Sequence, residues 1–131
     1  MRALWTALLA LGCAEEPAPE VFEVVSSMPE DGAADVPEAL APELRVSGEA
    51  DPVTCTPDTL GLGALAAHGG LAFEVGLSVT LKDEGRKIVL APDEPLPQGF
   101  TYAYLVRAGS DACSDTLGRS LGPFYAEFTV P

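Results

Sequence analysis

A chain of 131 residues is long enough for one domain with a hydrophobic core and too short for two of ordinary size. Hydrophobic residues make up 47% of it, which excludes wholesale disorder, while 13 glycines and 12 prolines favour short strands and turns over long helices. The formal net charge is −13 and the seven Lys and Arg residues are scattered, so nucleic acid is excluded as a partner and adsorption to an anionic membrane surface is disfavoured.

The first residues of the chain have the composition of an export signal. A single arginine precedes an apolar run, residues 3–12, that is too short for a resident membrane helix, which needs about 20 apolar residues. The sequence Leu-Ala-Leu-Gly-Cys at residues 9–13 resembles a bacterial lipobox. This resemblance predicts residues 1–12 as a signal peptide and implies a lipid on Cys13. Two alternatives stay open: cleavage after Ala14 for plain secretion, and an N-terminal helix that stays in the fold.

Residues 13–20 are predicted to form a tether. They include three glutamates and two prolines, and carboxylate repulsion together with proline stiffness should hold the segment extended. A lipid at Cys13 would then anchor the rest of the chain, residues 21–131, to a membrane. Because Ala14 rather than an acidic residue follows the cysteine, the outer membrane or cell surface is the expected location. Without the lipid the protein would be periplasmic or secreted.

The remaining residues, 21–131, are predicted to be one all-β domain of about seven short strands. The clearest pattern lies at residues 71–81, where six large apolar residues alternate with small or polar ones. A period of two places all six on one face of a strand, whereas a helix would spread them around its circumference, so one continuous strand is predicted. A hairpin loop follows at residues 82–86. The other predicted strands lie near residues 21–25, 43–47, 59–63, 87–91, 101–107 and 124–130.

Seven such strands with turns between them predict an Ig-like antiparallel β-sandwich. Three segments carry a resemblance to a family. The run Ser-Met-Pro-Glu-Asp-Gly-Ala-Ala-Asp-Val-Pro at residues 27–37, the Asp-Pro at 51–52 with the threonines after it, and the corner at 96–102 resemble the bacterial Ig-like domain of the SbsA type, found in S-layer and other exported proteins. The resemblance implies a structural corner at Leu96, Gly99 and Tyr102, in which the tyrosine ring is buried and its hydroxyl returns to nearby backbone.

One of the three cysteines lies in the N-terminal signal region, and the other two lie in the predicted domain. Cys13 belongs to the lipobox, which leaves Cys55 and Cys113 as an even pair in an exported chain. A disulfide between them is predicted, with unpaired thiols as the alternative. A zinc site is not expected, because two cysteines and the single His68 fall short of the usual four ligands.

Carboxylates in the loops are weak candidates for a calcium site. Asp31 with Asp35, and Asp111 with Asp115, lie in predicted loops, and clustered loop oxygens can hold calcium in exported sandwiches. None matches the Asp-x-Asp-x-Asp-Gly calcium loop. The expectation is therefore solvated turn residues, with calcium binding at these loops as the alternative.

No pattern of catalytic residues is present in the sequence. There is no Gly-x-Ser-x-Gly elbow and no phosphate loop beside His68, so neither an enzyme nor a cofactor is expected. The predicted function is a non-catalytic Ig-like structural or interaction module of a lipid-anchored envelope lipoprotein, with an envelope protein or glycan as its partner. The alternative is a calcium- or glycan-binding exported β-sandwich that uses its acidic loops.

Overall fold

The computed structural model describes residues 21–131. The predicted signal peptide, the tether and the lipidation residue Cys13 lie outside the described residues. A short 3₁₀ turn covers Gly109–Asp111, and within the described part of the chain no helix is long and apolar enough to cross a membrane. The strands are β1 (Val24–Met28), β2 (Glu43–Val46), β3 (Leu60–Leu65), β4 (Leu71–Glu74), β5 (Leu77–Lys82), β6 (Lys87–Pro92), β7 (Phe100–Val106) and β8 (Glu127–Val130).

The strands form two four-stranded sheets that pack face to face. One sheet has the order β1-β2-β6-β5 and the other β4-β3-β7-β8, and every pair of neighbouring strands is antiparallel. The all-β sandwich predicted from the sequence is therefore confirmed, with eight strands in place of about seven. Alternate residues of each strand fill the space between the sheets. The largest fully buried side chains include Phe22, Leu44, Leu62, Ile88, Leu90, Tyr102, Tyr104 and Phe128.

The single strand predicted at residues 71–81 is wrong, because the chain changes sheets in its middle. Val75 N donates to Leu62 O at 2.9 Å, in the sheet of β4, whereas Gly76 O accepts from Asp93 N at 2.9 Å, beside the sheet of β5. Two consecutive residues thus belong to opposite sheets. Both sheets face the same core, so side chains from β4 and β5 keep one alternating pattern across the crossing. The alternation reports which side chains face inward and not which sheet they join.

The first strand begins later than predicted. Residues 21–25 were expected to form it, but β1 begins at Val24, and its register with β2 shifts between Val24 and Ser26. Phe22 is nevertheless buried, because it makes an isolated parallel bridge with Leu121 and packs into the core. Val25 is exposed. The bulge changes the pattern after Val25, since an extra residue on one strand reverses the face on which the following side chains lie: Ser27 is half-buried, whereas Ser26 and Met28 are exposed.

The two tyrosines of β7 tie this strand to distant backbone. Tyr102 Oη donates to Pro97 O at 2.6 Å, within the predicted corner where Leu96 is buried. Tyr104 Oη donates to Pro29 O at 2.8 Å, and Ser27 Oγ donates to the same carbonyl at 3.0 Å. Burial raises the pKa of Tyr104, so its hydroxyl stays protonated and remains a donor. The Tyr104 hydrogen bond joins the second sheet to the turn after β1 in the first.

Replacing Tyr104 by Phe is expected to lower the free energy of unfolding by about 1–2 kcal/mol, because a buried hydrogen bond between the sheets is lost. Urea denaturation of Tyr104→Phe measures the change. The matched control is Tyr125→Phe, which removes the hydroxyl of an exposed tyrosine and should stay within about 0.5 kcal/mol of the wild type. Equal stability of the two variants would show that the Tyr104 bond contributes nothing.

Candidate functional site

A disulfide joins two loops at one end of the sandwich. Cys55 and Cys113 are bonded, with their Cα atoms 4.3 Å apart, and both are buried. This confirms the predicted bridge. The disulfide links the loop between β2 and β3 to the loop between β7 and β8. We call residues 49–59 and 111–119 together the loop clasp.

Hydrogen bonds extend the clasp beyond the disulfide. Ala50 and Asp115 form an antiparallel bridge, and Asp51 N donates to Ser114 O at 2.9 Å. Thr54 Oγ1 lies 2.9 Å from Ser114 Oγ and accepts from Ser114 N at 3.0 Å. The two loops are therefore joined by backbone and side-chain hydrogen bonds as well as by the disulfide.

Asp115 is the buried ionic centre of the clasp. Only 2% of the residue is exposed, and its carboxylate lies 2.7 Å from Arg119 Nη2 and accepts from Arg119 Nε at 2.8 Å. Its Oδ1 also accepts from the backbone N–H groups of Leu117 at 3.1 Å and Arg119 at 2.8 Å. Burial raises the pKa of Asp115, but these hydrogen bonds and the guanidinium outweigh it, so the pKa lies below its usual value. The carboxylate stays ionised and orders its own loop.

The other calcium candidates lie on the surface. Asp31 Oδ1 accepts from Glu127 N at 2.9 Å, at the edge of β8. Asp35 is exposed and has a φ of 57°, and Asp111 is exposed in the 3₁₀ turn. Within residues 21–131, no three His, Cys, Asp or Glu side chains are close enough together to hold a metal ion. With Asp115 ion-paired to Arg119, the four carboxylates are not brought together as one site.

An open cleft of about 520 Å³ lies beside the clasp. Arg107 lies in it, and its Nε donates to Asp58 O at 3.0 Å. Neither cysteine of the disulfide lines the cleft, nor does His68, which lies in the exposed turn between β3 and β4. The arrangement can donate and accept hydrogen bonds through its hydroxyl, carboxylate and guanidinium groups. The hydroxyl groups in its lining come from Thr54, Thr56, Thr59 and Ser110.

Sequence reasoning did not single out Arg107, Arg119, Tyr104 or Tyr125. The ion pair between Asp115 and Arg119 could have been suspected from the sequence, because the two opposite charges lie four residues apart in one loop. Nothing local marked Tyr104, because its partner Pro29 is 75 residues away.

The sequence matches no known protein-family model and has no significant match among curated proteins. Similar folds are found among solved structures. The bacterial S-layer protein SbsC resembles the chain in two crystal structures: the fragment 31–844, with a TM-score of 0.59 and 17% identity, and the N-terminal part, with a TM-score of 0.59 and 18% identity. The likeness covers 83% and 84% of this chain but 13% and 23% of those chains, so the chain spans a small part of either S-layer structure.

PcoC, a methionine-rich copper resistance protein from Escherichia coli, has a similar fold over its whole length. The TM-score is 0.53 at 20% identity, covering 85% of this chain and 99% of PcoC. At these identities the likenesses show the fold alone. They identify the two-sheet sandwich as Ig-like, of the kind found in S-layer proteins, which agrees with the fold class predicted from the sequence.

Proposed function

We propose that residues 21–131 are a non-catalytic structural or interaction module of an envelope protein, displayed outside the cytoplasm on a lipid at Cys13. The Cys55–Cys113 disulfide is the observation that carries the proposal, because such bridges persist in oxidising compartments and are rare in the cytosol. The likeness to S-layer Ig-like domains supports a surface location. The lipobox-like sequence at residues 9–13 agrees with both an oxidising compartment and a surface location.

The chain itself covers the β8 edge of the second sheet, so an interaction of the module with a partner does not use that edge. The segment 32–36 lies along β8 and pairs with it: Gly32 N donates to Glu127 O at 2.8 Å, Thr129 N to Ala33 O at 2.9 Å and Val36 N to Thr129 O at 3.1 Å. A covered edge cannot add a strand from another chain. Strong negative charge adds repulsion between copies. We do not propose a calcium-dependent role, because Asp115 is already ion-paired with Arg119.

The anchor is tested by intact mass and fractionation of the full-length protein. Lipidation predicts a membrane-bound form that begins at Cys13 and is heavier than its polypeptide by the mass of the acyl groups. Cys13→Ala should abolish that form and leave an unlipidated precursor or soluble protein. The control is Cys55→Ala/Cys113→Ala, which removes the other cysteines and should keep the lipid. Unmodified wild-type protein that begins at Glu15 and is found in the soluble fraction would contradict the anchor.

A further inference from the structure

A shallow furrow of about 460 Å³ crosses the outer face of the second sheet. Gly61 of β3 and Leu105 of β7 are directly paired and partly exposed, while Leu60, Leu62 and Tyr104 beside them are buried, so the furrow floor faces away from the core. The furrow continues into the cleft beside the clasp through residues lining both. Its lining includes Asp58, Gly61, Glu74, Leu105, Arg107 and Tyr125.

Gly61 leaves the floor open without being required by packing. A Cβ built on Gly61 would meet only the Leu105 Cβ, at 4.0 Å. At Gly63 on the same strand, a Cβ would lie 2.6 Å from Leu71 Cδ2, so the leucine side chain covers Gly63 and would have to move to admit a larger residue. A glycine inside a strand weakens it and often marks a bulge, a bend or a place that a ligand or another backbone approaches closely. The β3–β7 register runs through Gly61 without a bulge, which favours close approach by another molecule.

Tyr125 and Arg107 provide the furrow with an aromatic surface and a set of donors. Tyr125 is 63% exposed, and its hydroxyl donates to the Glu127 carboxylate, which holds the ring in position. Arg107 Nε donates a hydrogen bond to Asp58 O. Within residues 21–131, no carboxylate lies within 4 Å of the Arg107 guanidinium. Its two terminal amino groups are therefore available to a ligand, while the ring offers a flat apolar face.

We infer that this furrow binds a neutral oligosaccharide, with a sugar ring stacked on Tyr125 and its hydroxyls bound by Arg107 and Glu74. Hydroxyl groups both donate and accept, which matches a lining that mixes one guanidinium with carboxylates. A polyanion is disfavoured by the net charge of −13. A peptide strand has little free edge to pair with, because β7 lies along one side of β3 and β4 already pairs with the other side at Gly63, Ala64 and Leu65. This site goes beyond the proposed module role and does not depend on the lipid.

Calorimetric titration of the full-length protein with cellotriose, maltotriose, N,N′,N″-triacetylchitotriose and trigalacturonate tests the inference. We expect saturable binding of at least one of the three neutral sugars and weaker binding of the acidic one. Tyr125→Ala should weaken the neutral binding about tenfold, because the stacking surface is lost. Gly61→Val should abolish it by filling the floor, with a melting temperature no lower than that of the wild type, since a Cβ at Gly61 makes only an ordinary contact with Leu105 Cβ and valine favours strands. Leu117→Ala, an exposed residue in the clasp, should bind as the wild type does.

The inference is overturned if none of the neutral sugars binds at millimolar concentration, or if trigalacturonate binds more tightly than all three. It is also overturned if folded Gly61→Val and Tyr125→Ala bind as the wild type does. These outcomes are separate from the anchor experiment, since the mass and fractionation of the protein do not depend on sugar binding.

Discussion

Removal of the Cys55–Cys113 disulfide is expected to lower the free energy of unfolding by about 4 kcal/mol. The bridge closes a loop with a sequence separation of 58 residues, and the chain-entropy model assigns a loss of this size to freeing a loop of that length in the unfolded state. Small domains are stable by only about 5–15 kcal/mol, so the change would take a large share of the total. Urea unfolding of the oxidised wild type and of Cys55→Ala/Cys113→Ala measures it.

Two controls separate the covalent bond from the contacts around it. Thr54→Val keeps the disulfide and removes the hydrogen bonds between Thr54 and Ser114, and it should cost about 1 kcal/mol. A reducing agent should destabilise the wild type to the level of the double variant and leave the double variant unchanged. Equal stabilities of oxidised wild type and double variant would contradict the prediction.

The fold class could be predicted from the sequence because inward-facing residues alternate along nearly every strand. Leu44 and Val46 in β2, and Phe128 and Val130 in β8, are buried as their spacing indicated. Assignment of strands to sheets could not be predicted in the same way. Alternation continues through Val75 and Gly76, although the hydrogen bonds change from one sheet to the other there. Which strands pair depends on residues far apart in the sequence, so the alternation of apolar residues along one segment does not reveal it.

The candidate site was only partly predictable for a related reason. Counting cysteines in an exported chain was sufficient for the Cys55–Cys113 bridge. The furrow is assembled from β3, β4, β7 and the segment before β8, and Gly61 and Tyr125 are 64 positions apart in the sequence. The sequence made Asp115 a weak calcium candidate, whereas in the structure its carboxylate forms an ion pair with Arg119. The local sequence of an acidic residue in a loop does not show whether the residue faces solvent or a partly buried guanidinium.

Asp115→Asn is expected to destabilise the domain by about 3 kcal/mol at neutral pH. The amide keeps the shape of the side chain but removes the charge that pairs with Arg119, and breaking a buried ion pair from one side leaves the other charge without compensation. The side chain of Asp115 is 1% exposed and that of Arg119 is 26% exposed. Water can therefore partly solvate the guanidinium once its partner is neutral, so the loss in free energy of unfolding falls at the low end of the range for buried ion pairs. Asp111→Asn, an exposed carboxylate in the 3₁₀ turn, is the matched control and should change stability by less than about 0.5 kcal/mol.

The effect of Asp115→Asn should depend on pH with a definite sign. The pKa of Asp115 is lower in the folded state than its usual value, so the folded state favours the ionised form and gains stability from it above the unfolded pKa of about 3.9. That stability is lost as the pH falls through the folded pKa. The difference in urea unfolding between wild type and Asp115→Asn should therefore be full at about pH 7 and smaller at about pH 3, below the unfolded pKa. A difference that is the same at both pH values would mean that the ionised carboxylate does not stabilise the clasp, and that the asparagine acts only by disturbing its backbone hydrogen bonds.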